Sequence, residues 1–166
     1  MRCILIIILI FITYSFQIVK GNEYVPQMVD KESAIIIRTD KKTYFSVQLF
    51  CRFTEEGFYN KSLFVEKNKK TIAKIKFPSS EDIKNFSVKI KKHRKGVILE
   101  CFYGGGNNLY SRHFYFKCDK DGMYLYKIIG THTTPNSDKT MTDKKYIQPQ
   151  IDISDFGIVN YIDNTP

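Results

Sequence analysis

Residues 89–118 read KIKKHRKGVILECFYGGGNNLYSRHFYFKC, and their alternation decides the fold. Val97, Leu99 and Cys101 fall on one side of an extended chain. After the glycine-asparagine run at 104–108, Phe114, Phe116 and Cys118 fall on one side of the return, with Ser111, His113, Tyr115 and Lys117 opposite them. Period two on both sides of a Gly/Asn turn specifies a β-hairpin whose apolar face meets a core. If the reversal is centred near Gly106 and Asn107, the residue facing Cys101 is Arg112, so Cys101 and Cys118 are not cross-strand neighbours.

The same alternation recurs outward from this hairpin. In residues 44–53, YFSVQLFCRF, the residues Phe45, Val47, Leu49, Cys51 and Phe53 share a face, and short apolar runs follow at 34–38, 63–66, 72–77, 86–90 and 123–129. This cadence predicts an all-β, single-domain antiparallel β-sandwich of about seven to eight strands spanning residues 34–161. Residues 79–84, SSEDIK, suit a single serine-capped helical turn. Residues 130–145, GTHTTPNSDKTMTDKK, are polar and contain Pro135, which predicts a long loop. Residues 147–161 return to strand-like composition, with a bend near Ser154 or Gly157.

At the N-terminus, Arg2 precedes an apolar block at 4–16 and Gly21 offers a small residue, the layout of a cleavable secretory signal over residues 1–21. An extended leader is expected at 22–33. Removing the signal takes Arg2 and Lys20 and no acid, so the formal charge falls from +9 to +7. Such a surface favours an extracellular protein or an anionic glycan or lipid surface, and secretion argues against nucleic acid. No transmembrane segment is expected after cleavage.

Cys3 leaves with the signal, so Cys51, Cys101 and Cys118 remain in an oxidising compartment. A bridge from Cys51 to Cys101 across the sheets is expected, with Cys118 a buried thiol; a Cys101–Cys118 bridge is the alternative. Two sequons, at Asn60 and Asn85, mark candidate N-glycosylation sites, and alternation through Phe86, Val88 and Ile90 turns Asn85 towards solvent.

The chemistry-bearing residues form no catalytic or metal-binding set. His93, His113 and His132 sit in three different segments, and His113 and Cys118 have opposite parity on one strand, so no cofactor, metal or catalytic residue is expected. The triglycine at 104–106 has no following Lys-Ser/Thr pair and is a turn. The densest charge is Lys89, Lys91, Lys92, Arg94 and Lys95, either an exposed patch for an anionic partner or a solvated turn that blunts a sheet edge.

The runs SVQLFC at 46–51, the strand at 61–66, residues 96–103, SRHFYFKC at 111–118 and IDISDFGIVN at 151–160 resemble the nematode transthyretin-like family over about residues 43–160. The resemblance implies a secreted, non-enzymatic β-sandwich that binds an extracellular protein, lipid head group or small apolar ligand. The family's Tyr-His-Asp-Cys segment is absent, so its disulfide pairing does not transfer. The tyrosine-arginine-glycine-serine ending of the related hydroxyisourate hydrolases is absent too, and their activity is not implied. The alternative is an immunoglobulin-like adhesion or host-interaction domain binding a glycosaminoglycan or a protein through the basic hairpin. The fifty-residue spacing of Cys51 and Cys101 suits it, although the chain has no tryptophan to pack on such a bridge.

Overall fold

The computed structural model describes residues 27–53, 59–79, 81–134 and 139–162; the expected signal, 1–21, and the start of the leader lie outside the described residues. Among the described residues nine strands form: β1 (Gln27–Arg38), β2 (Tyr44–Phe53), β3 (Tyr59–Lys67), β4 (Lys70–Lys76), β5 (Ser87–His93), β6 (Gly96–Gly105), β7 (Asn108–Cys118), β8 (Met123–Thr134) and β9 (Lys139–Asp152). They make a four-stranded sheet, β1-β2-β3-β4, and a five-stranded sheet, β5-β6-β7-β8-β9, antiparallel throughout. The chain is an all-β sandwich. Its strands follow one another in sequence order within each sheet, whereas the immunoglobulin arrangement interleaves them.

Alternation builds the core as expected. Phe45, Val47 and Leu49 of β2, Leu63 and Val65 of β3, Val97, Leu99 and Cys101 of β6, and Phe114 and Phe116 of β7 are buried between the sheets. The β6–β7 register places Cys101 opposite Arg112, as the turn position required. Gly106 occupies the first central position of that turn with φ +62°, a conformation glycine adopts without penalty. The β3–β4 turn has Asn68 and Lys69 both at positive φ, and the Asn68 side chain accepts from the Tyr44 amide at 3.0 Å. Lys67 then reaches across to the other sheet, donating to the carbonyls of Lys120 and Asp121 at 2.7 and 2.9 Å. The capped turn after β4 also forms, with the Ile83 amide bonded to the Ser79 carbonyl at 3.1 Å and the Asp82 carboxylate accepting from the Ser79 amide and hydroxyl.

Three expectations are corrected. The leader is not separate from the sandwich, because β1 begins at Gln27 and pairs with β2 from Gln27 opposite Arg52. The segment 130–145 is not a long loop. Residues 130–134 end β8 and residues 139–145 begin β9, in continuous register from Ile128 opposite Lys145 to Thr134 opposite Lys139. Threonine is polar yet β-branched, so Thr131, Thr133, Thr140 and Thr142 favour a ladder even without a core to face. These changes lengthen β1, β8 and β9, and the nine strands among the described residues exceed the seven to eight expected.

Finally, the strand-like composition beyond Asp152 forms two 3-10 turns, Ile153–Asp155 and Ile158–Tyr161, not a continuing strand. Asp152 caps the first by accepting from the Ser154 amide at 2.9 Å. This closing segment sends Ile153, Phe156, Ile158 and Ile162 into the core. The Phe156 ring sits 5.2 Å from both Phe114 and Phe116 and stacks on Tyr161 at 5.6 Å. At the opposite side of the sandwich the edge strands β1 and β5 approach each other.

Candidate functional site

The residues that alternate away from the core on the five-stranded sheet form two adjoining rows. One runs Lys91, Ile98, Tyr115, Lys127, Tyr146, one residue from each of β5 to β9; the next runs Lys89, Glu100, His113, Ile129, Lys144. At a strand spacing of about 4.8 Å each row is about 19 Å long. Cationic and aromatic side chains dominate this face.

A β-bulge concentrates them. Phe116 pairs with Leu125 but Tyr115 pairs with Lys127, so Tyr126 is the extra residue on β8. The bulge brings Tyr126 and Lys127 together beside Tyr115. The Lys127 ammonium lies 3.7 Å from the Tyr115 ring centroid and 5.9 Å from that of Tyr126, and the two rings meet edge-on at 6.3 Å. His93 meets the Tyr115 ring edge-on at 5.6 Å. On β9 the Lys144 ammonium lies 4.9 Å from the Tyr146 ring, and its hydrogen bond to the Tyr146 hydroxyl lowers that group's pKa from the ordinary tyrosine value.

The one acid in the two rows, Glu100, is only 6 % exposed and pairs with Lys91 at 2.9 Å. Its neighbour His113 has a buried Nε2 that finds no hydrogen-bond partner among the described residues. An unsatisfied buried ring nitrogen costs about 1–3 kcal/mol unless something outside the chain satisfies it. Beside it, Phe102 stands 39 % exposed and touches the His113 ring at 5.9 Å.

The expected basic cluster is exposed, but its members divide. Lys89 and Lys91 point to this outer face, Lys92 has the parity of the buried Val88 and Ile90, and Arg94 and Lys95 occupy the β5–β6 turn, Arg94 at φ +49°. Lys91 is also committed to Glu100. The sequence cluster is therefore a charged edge strand that contributes two lysines to a larger face. Lys127 and Lys144 belong to that face beside Tyr115 and Tyr146, and the two lysines were missed. The change of apolar phase within residues 123–129, from Met123 and Leu125 to Ile128, is the signal of the bulge that gathers them.

The expected Cys51–Cys101 bridge is corrected: the described cysteines do not form a disulfide. Cys51 stands near the end of β2 opposite Lys61 and Met28, whereas Cys101 is midway along β6 in the other sheet, opposite Val88 and Arg112. Cys101 is wholly buried, and burial together with the Glu100 charge raises its pKa far above the usual thiol range. Cys118 is buried on the core side while His113 is on the outer side, as their parity requires. Burial and the charge of Asp119 push the Cys118 thiol up to about 12, so neither thiol is primed as a nucleophile. Asn60 is exposed on β3. Asn85 is exposed but not turned freely to solvent: it precedes β5 at φ +53° and donates its amide to the Gly104 carbonyl at 2.9 Å.

Among the described residues no cluster of His, Cys, Asp or Glu is arranged to hold a metal ion, and no helix is long and apolar enough to cross a membrane. No protein family, curated protein or solved structure matches the chain.

Proposed function

We propose that this protein is a secreted, non-enzymatic β-sandwich that binds an extracellular sulfated glycan on the outer face of its five-stranded sheet. The carrying observation is the pair of rows that sets Lys89, Lys91, Lys127 and Lys144 among Tyr115, Tyr126 and Tyr146. Tyrosine rings offer flat apolar platforms to the C–H faces of sugars, while lysines placed between them supply charge to sulfates. The signal-like N-terminus and the net positive charge support an extracellular anionic partner.

Immobilised heparin tests this reading. Lys127→Ala/Lys144→Ala is expected to lower the salt concentration needed for elution, and Tyr146→Ala to weaken binding without changing the salt slope. Retention that survives the double lysine variant but is lost in Arg94→Ala/Lys95→Ala would move the site from the sheet face to the turn.

A further inference from the structure

The two sequons occupy different structural settings. Asn60 and Ser62 lie on the solvent side of β3, beside a cavity of about 350 Å3 lined also by Phe50, Phe64, Lys74 and Lys76. Phe50 pairs with Ser62 across the β2–β3 ladder, so an aromatic ring stands diagonally beside Asn60. Phe64 meets Phe50 edge-on at 4.8 Å, and the Lys74 ammonium lies 4.9 Å from the Phe64 ring. The result is a half-buried aromatic floor with hydroxyl and ammonium groups on its rim, outside the core. Asn85 has no such space. Its Nδ2 is held on the Gly104 carbonyl, and a Cβ at Gly105 would come within 2.9 Å of that nitrogen. A sugar would replace one Nδ2 hydrogen while the other is held on the Gly104 carbonyl, and so would be set against the β6–β7 turn at Gly105 and the Lys84 side chain.

We infer that Asn60, and not Asn85, carries an N-linked oligosaccharide in the folded protein, and that its first N-acetylglucosamine docks on the Phe50–Phe64 floor. In the transfer, Asn60 Nδ2 bonds to C1 of the sugar as the C1–O bond to a polyprenyl pyrophosphate donor breaks. The pyrophosphate leaves with the bonding electrons and one amide proton passes to the transferring enzyme. Once attached, the apolar face of the pyranose covers Phe50 and Phe64, while Ser62 and Lys76 face its polar substituents. The inference rests on the secretory part of the proposal above and is independent of the glycan-binding face.

The test is expression in eukaryotic cells with a general secretory leader replacing residues 1–21, which separates it from any failure of the native leader. Peptide mapping of the secreted protein should find the oligosaccharide on the peptide bearing Asn60 and none on the peptide bearing Asn85. The glycosylated chain should also unfold at a urea midpoint about 0.3–0.5 M above that of Asn60→Gln, a difference lost in a Phe50→Ala background. A sugar on Asn85, a bare Asn60 in the secreted protein, or equal midpoints for the glycosylated chain and Asn60→Gln would overturn it.

Discussion

Truncating Phe156 to alanine tests whether the closing segment is part of the core or a cover laid over it. Phe156 is 5 % exposed, and its ring touches Phe114, Phe116 and Tyr161. Burying about 150–250 Å2 of aromatic surface at about 25 cal/mol per Å2 is worth about 4–6 kcal/mol. Measured Phe→Ala losses run to about 3–5 kcal/mol. Because Phe156 lies between two 3-10 turns with no ladder to hold the backbone in place, partial collapse onto the cavity favours the lower end, about 3 kcal/mol. With a urea m-value of about 2 kcal/mol per M, the unfolding midpoint should fall by about 1.5 M at unchanged slope. Val159→Ala provides the control, since that side chain is 60 % exposed and its loss should stay within about 0.5 kcal/mol. A midpoint shift for Phe156→Ala no larger than the control's would refute the assignment of this segment to the core.

Two further perturbations address the hairpin arm and the thiols. A Cβ at Gly130 would overlap the Arg112 guanidinium, which crosses β8 to reach the Asp143 carboxylate at 2.8 Å; Gly130→Val should therefore expel Arg112, cost about 1–3 kcal/mol, and speed amide exchange in residues 139–145, and unchanged exchange there would contradict it. Cys118 should resist a disulfide reagent in the native state and react once unfolded. Its folded pKa is raised above the ordinary value near 9, so the stability it contributes is complete below pH 9 and drains as pH rises towards 12, the unfolded thiol ionising first. Comparing wild type with Cys118→Ala at pH 7.5 and 10 should show a shallower pH dependence in the variant, and parallel curves would refute the burial argument.

The sandwich was legible wherever one face of a strand is buried and the other wet. Phe45, Val47 and Leu49 alternate with Ser46 and Gln48, and Cys101 lands opposite Arg112 because a Gly-Asn turn fixes register. It was illegible where burial does not alternate. Residues 139–146 are exposed on both faces, so they carry no period at all; their strand is held by its backbone ladder to β8. Ile153, Phe156 and Ile158 carry core composition, but packing against the open end between the sheets, not ladder formation, sets their backbone. The candidate face was half legible: the outward parity of His113 and Tyr115 follows from the hairpin, while Lys127 joins them only after the extra residue at Tyr126, which shifts the register of everything beyond it. The disulfide failed because alternation says which face a cysteine takes and nothing about where along the opposite sheet its partner stands.

The sequential strand order has a kinetic consequence. Among the described residues every ladder joins two strands consecutive in sequence within one sheet, so each closes over a short connection and the entropic cost of each pairing is small. During synthesis the four-stranded sheet can assemble while the five-stranded sheet is still being made. Its apolar face nevertheless lacks the opposing layer until β5 to β9 arrive, and Phe156 emerges only after all of them. A nascent chain stopped before residue 153 would hold formed hairpins around an open core, the species most exposed to aggregation, which places the commitment to the native state after the last strand.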